Sequence, residues 1–150
     1  MTQKLFATDK TFAPLIVRLL LAIVIFPHGA QKLFGWFNGS GFSDNMHFLT
    51  QTVGLPWAIG LCVIIIEFFA PLALIAGFAT RISSAAILVV MAGIIITQFK
   101  EYFFMNWYGT QPTEGSEFFL LAIGMCLSLM ISGAGIYSVD GVISSGRRQG

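Results

Sequence analysis

The stretch Arg18-Leu-Leu-Leu-Ala-Ile-Val-Ile-Phe-Pro-His-Gly-Ala-Gln-Lys-Leu-Phe-Gly-Trp36 begins as an apolar helix and ends as something else. An arginine sits about two turns into the hydrophobic run that starts at Phe12. Pro27, His28, Gln31 and Lys32 then arrive before a Gly-Trp exit. A helix that only anchors a protein in lipid needs none of these groups. An ionisable residue at the centre of a span costs about 2.5–3.5 kcal/mol on insertion scales, so it turns inward and takes a partner. The stretch therefore predicts a transmembrane helix with one polar wall.

The rest of the chain supplies the setting. Its 150 residues suit one domain spanning 1–150. Apolar residues make up 56% and charged residues only 10%, and fifteen residues are Phe. Ordinary globular proteins carry about 25% charged residues, so a soluble domain is excluded. Four apolar runs are long enough to span a bilayer, which needs about 20 residues. The expected fold is all-α: an integral membrane four-helix bundle. A net charge of +1 and the lack of a basic run argue against nucleic acid as a partner. The first eleven residues are polar and precede no A-x-A-like cleavage site, so the first run should stay in the membrane. Cys62 and Cys126 are not spaced as C-x-x-C and read as inert thiols within apolar runs.

Helices are expected at about 12–33, 57–78, 82–99 and 117–132. Pro14 suits the first turn of the first helix. In the loop that follows, Phe42, Met46, Leu49 and Val53 recur at helical spacing, which predicts a short interfacial amphipathic helix. Tyr102, Phe103, Phe104, Trp107 and Tyr108 crowd the second long loop as an aromatic belt. Ser116 and Glu117 suit the start of the last helix as cap and dipole partner. Four spans put both termini on one side, with Lys4, Lys10, Arg81, Arg147 and Arg148. Only Lys32 and Lys100 fall on the other side. The positive-inside rule then places both termini in the cytoplasm.

The candidate site is the intramembrane cluster Arg18, His28, Gln31, Lys32 and Glu67. With Phe12 at the inner boundary, Arg18 lies about 9 Å deep, His28 about 24 Å and Glu67 about 15 Å from either face. An Arg18–Glu67 pair is the expected contact. Pro27 and Pro71 free the carbonyls of Ile23 and Glu67, and Arg18 and His28 are the donors at hand. The cluster reads either as a buried ion pair that fixes packing or as the wall of a polar-headgroup pocket. His28 and His47 have no ligand spacing, so no metal site is expected. No dinucleotide, phosphate-loop or nucleophile-elbow motif occurs in its required context, so no self-contained catalytic motif is seen.

These residues resemble a known family. Arg18-Leu-Leu-Leu followed by Pro27-His28-Gly29-Ala30-Gln31-Lys32-Leu33-Phe34-Gly35-Trp36-Phe37 resembles the first-helix signature of the DoxX family of small bacterial inner-membrane proteins. Gly54-Leu55-Pro56, the Glu67…Gly77…Thr80-Arg81 block, Glu117-Phe118 and Gly133-Ala-Gly-Ile-Tyr-Ser-Val-Asp140 agree with it. Ala70-Pro71 and Ile136 depart from its usual residues. The resemblance implies a four-helix, multi-pass protein of the bacterial inner membrane. Some relatives look like the membrane subunit of a thiosulfate:quinone oxidoreductase; others accompany resistance to quinones, catechols or thiol stress. It thus implies a quinone as the cofactor candidate, in a redox or detoxification role, alongside soluble redox proteins. The rival reading is a non-catalytic scaffold that recruits partners through its outer loops. A homo-oligomer is compatible with both.

Overall fold

The structure is a computed structural model that describes residue 8 and residues 11–98 and 101–146. Lys4, Lys10, Lys100, Arg147 and Arg148, on which the charge argument partly rests, lie outside the described residues. Among the described residues all regular structure is helical. In chain order the helices are α1 (Phe12–Phe34), α2 (Gly41–His47), α3 (Trp57–Ala76), α4 (Thr80–Thr97), α5 (Glu117–Ser132) and α6 (Val139–Gly146). A single π-turn, Phe48–Thr52, continues α2.

Three helices, α1, α3 and α4, are long and apolar enough to cross a membrane. The fourth apolar run falls short of that length, because α5 has only 16 residues. At 1.5 Å per residue it covers about 24 Å of a hydrocarbon core near 30 Å. α1 packs along α3, α3 along α4, α4 along α5, and α5 returns to α1. The shared core is Leu21, Ile25, Leu74, Ile87, Met91 and Leu129, all buried. The outward faces carry exposed Ile, Leu, Phe and Val side chains, the pattern of helices solvated by lipid tails.

Several boundaries differ from the expected ones for local reasons. α3 stops at Ala76 rather than running to Phe78 because Gly77 adopts φ +64°. The Gly77 N–H then returns to Leu74 O and the Phe78 N–H to Ala73 O, a Schellman closure. α4 starts at Thr80, two residues early, because a distant carboxylate caps it: Asp140 Oδ1 and Oδ2 accept the N–H groups of Ala79 and Thr80 at 2.7 and 2.9 Å. The segment beyond the last expected helix contains α6. Between α1 and α3, Met46 and Leu49 of the anticipated amphipathic stripe are buried against Ile64, while Phe42 stays exposed.

The segment leading into α6 meets the start of α1, and α6 itself meets the α3–α4 turn, at one end of the molecule. Ile136 N–H donates to Thr11 O, and Asp140 N–H donates to Gly77 O. Arg81 donates to Met130 O in the last turn of α5. The opposite end is covered by the loop between α4 and α5. There the N–H groups of Ser116 and Glu117 donate to the carbonyls of Tyr102 and Phe103. Glu117, expected to serve the helix dipole, also tethers that loop by accepting the Met105 N–H at 2.8 Å.

Candidate functional site

The five polar residues of the opening stretch and α3 divide between three places. Arg18 is buried, 1% exposed, and its guanidinium donates only to carbonyls. Nη1 donates to Leu74 O and Ile75 O at 2.7 and 2.5 Å, Nε to Ala134 O at 3.0 Å, and Nη2 to Tyr137 O at 2.6 Å. Leu74 and Ile75 lie in the last turn of α3, whose carbonyls have no helical partner. Arg18 therefore satisfies the end of α3 and the turn before α6 together. The expected Arg18–Glu67 contact is absent.

Glu67 pairs with Lys32 instead. The reason is register. Gly29 lies directly against the backbone of Glu67: a Cβ built there would sit 2.2 Å from Glu67 O and 2.5 Å from Phe68 N. Gly29 is eleven residues beyond Arg18, about 16 Å along the helix axis. Aligning the two helices by their ends set Glu67 too close to Arg18. The close approach also answers the Pro71 question. The Glu67 carbonyl, which Pro71 frees, faces Gly29 rather than Arg18 or His28.

Lys32, Glu67 and His28 face a common cavity of about 430 Å³. Glu67 is 2% exposed and Lys32 25%. The walls are mainly apolar, with Ile25 from α1, Val63 from α3, Met91 and Ile94 from α4, and Phe118 and Phe119 from α5. His28 packs its ring beside Phe118 at a centroid distance of 6.4 Å. The roof comes from the two long connections: Asn45 and Phe48 between α1 and α3, Met105 and Glu114 between α4 and α5. The π-turn thus supplies part of the lining, a common place for such turns. Gln31 does not line this cavity. Its amide donates to Phe37 O at 3.1 Å and braces the turn after α1.

Sequence reasoning missed Met91, Gln98 and Glu114 as wall residues. Met91 and Ile94 on α4 and Gln98 just past its end are spaced three and four apart, a readable face. Lipid-facing and core-facing stripes share that period, so the spacing alone did not single it out. Glu114 had no signal, because the fold of a loop brings it over the cavity. Among the described residues no cluster of His, Cys, Asp and Glu could hold a metal ion.

The DoxX family model matches residues 13–100, more than half of the chain. The chain belongs to the DoxX family. No curated protein and no solved structure matches it. This DoxX protein is thus a multi-pass membrane protein in contact with the lipid bilayer. Arg18, His28, Gln31, Lys32 and Glu67 fall inside the DoxX match; α5 and the Gly133–Asp140 block lie beyond it.

Proposed function

We propose that this DoxX protein is a quinone-binding protein of the bacterial inner membrane, serving redox or detoxification metabolism. The observation that carries the reading is the cavity that joins His28, Lys32 and Glu67 to apolar walls. Its volume suits a small amphipathic molecule, since ligand pockets run from about 300 to 1,000 Å³. A quinone ring offers two carbonyl acceptors on a flat apolar body. Lys32 has ammonium protons beyond the one given to Glu67, and His28 has a ring N–H. Phe118 and Phe119 supply aromatic faces for the ring. We propose that the whole chain forms this one domain, with α5 as a fourth span that a locally thinned bilayer accommodates.

The test is binding of a short-chain benzoquinone to protein in nanodiscs. His28→Ala should weaken binding by about 3–10-fold, as loss of one hydrogen bond implies. Gln31→Ala should leave affinity unchanged, because its amide is engaged with Phe37 O. Equal affinity of the His28 variant and wild type would refute the site.

A second reading, a non-catalytic scaffold, draws on Trp107 and Tyr108, which are 80% and 91% exposed on the second outer loop. It implies that no quinone binds to any of these proteins. We also place both termini in the cytoplasm, since the start of α1, Arg81 and α6 share one end. A C-terminal alkaline phosphatase fusion should then be inactive and a fluorescent protein fusion bright; an active phosphatase reverses the topology.

A further inference from the structure

We propose that the Lys32–Glu67 pair is a charge filter that restricts the cavity to uncharged ligands, with Glu67 as the specificity-determining residue. The inference rests on the quinone reading above and names which quinones the site takes. Three observations on the cavity lead to it.

Glu67 is buried in the middle of α3, and Lys32 holds its carboxylate. Removing the partner of a buried charge leaves that charge uncompensated in a low-dielectric setting, and this is strongly unfavourable. Lys32 and Glu67 face the same cavity, so any ligand meets both ends of the pair. A neutral carbonyl oxygen can accept one of the remaining Lys32 protons without breaking the pair. A carboxylate or sulfonate would instead compete with Glu67 for one ammonium, placing two negative groups beside a single cation. An amine would compete with Lys32 for Glu67 with the same outcome reversed.

The roof adds a second negative group. Glu114 lies over the cavity, and its Oε2 accepts the Asn106 N–H at 3.0 Å. An anion crossing the roof therefore meets repulsion before it meets Lys32. The other polar groups there, Asn45 and Gln98, are amides with no charge to offer a ligand. His28 is the remaining titratable group on the wall, so the experiment belongs at pH 8, above the usual histidine value of about 6.5.

The experiment uses full-length protein in nanodiscs and three benzoquinones with equal tails: one neutral, one ending its ring substituent in a carboxylate, one in an ammonium. Calorimetry should show the neutral probe binding at least tenfold more tightly than either charged one. In Glu67→Gln, Lys32 loses its counter-charge, and the carboxylate probe should become the tightest of the three. If Glu67→Gln does not fold, the wild-type order of the three probes decides alone. Charged probes that match the neutral one in wild type overturn the filter and leave the quinone reading standing. Failure of all three to bind overturns both. An unchanged order in folded Glu67→Gln removes Glu67 from the role and overturns the proposal.

Discussion

Gly29→Ala should unfold or markedly destabilise this protein, although alanine is the better helix former. The propensity gain is about 1 kcal/mol in favour of alanine. Against it stands a Cβ placed 2.2 Å from Glu67 O and 2.4 Å from its carbonyl carbon. Those atoms are backbone in the middle of α3, so no rotamer change relieves the clash. α1 and α3 must move apart, and both the Lys32–Glu67 pair and the cavity wall move with them. Overpacking of this kind costs about 1–3 kcal/mol in ordinary cores and more where backbone is the obstacle. The net effect is therefore destabilising, with a melting point in detergent lower by about 5–10 °C. Gly93→Ala and Gly124→Ala are the matched controls, because nothing lies within 4 Å of a Cβ at either position. They should be neutral or slightly stabilising. A Gly29→Ala variant as stable as wild type would mean that the two helices do not approach as closely as described.

Arg18→Met should have the larger effect still. Methionine keeps much of the stem's volume and removes every donor. Leu74 O, Ile75 O, Ala134 O and Tyr137 O would then be left without the guanidinium. Leu74 O keeps the Gly77 N–H, whereas the buried Ala134 O and the part-buried Ile75 O and Tyr137 O lose the guanidinium. At about 1–3 kcal/mol for a fully buried acceptor, the loss is a sizeable part of the 5–15 kcal/mol that stabilises a typical domain. The expected result is loss of the monodisperse peak in size-exclusion chromatography. Arg18→Lys should recover only part of the stability, since one ammonium cannot reproduce a planar fork of donors. A double-mutant cycle between Arg18 and Glu67 should give coupling near zero, whereas Lys32 and Glu67 should couple strongly. Appreciable Arg18–Glu67 coupling would refute the register drawn from Gly29.

The membrane character was legible because it depends on composition and run length, which need no knowledge of packing. Several helix starts and stops were legible too, since Pro14 and Gly35 act through local backbone preferences, but the stop at Gly77 was expected two residues later. The early start of α4 was missed because it depends on Asp140, which lies 60 residues away in sequence. α6 was missed because Val139–Gly146 holds two glycines and two serines and scores poorly as an isolated helix. Part of what holds it there is a tertiary contact, the carboxylate of Asp140 on the α3–α4 turn.

The polar cluster shows the same division within a single helix. That Arg18 and Glu67 would be buried followed from the sequence, because an unpartnered charge in hydrocarbon is too costly to leave exposed, whereas His28 stays exposed. Which side chains meet was decided by the tertiary structure. The partner of Glu67 depends on how far α1 slides along α3, and that slide is set where Gly29 meets the Glu67 backbone. Hydropathy says that a helix crosses and which residue types must find partners; it carries no record of axial register. So the opening stretch determined by itself that α1 would carry a polar wall. Only packing decided that its second half faces a ligand-sized cavity while its Arg18 ties the end of α3 to the turn before α6.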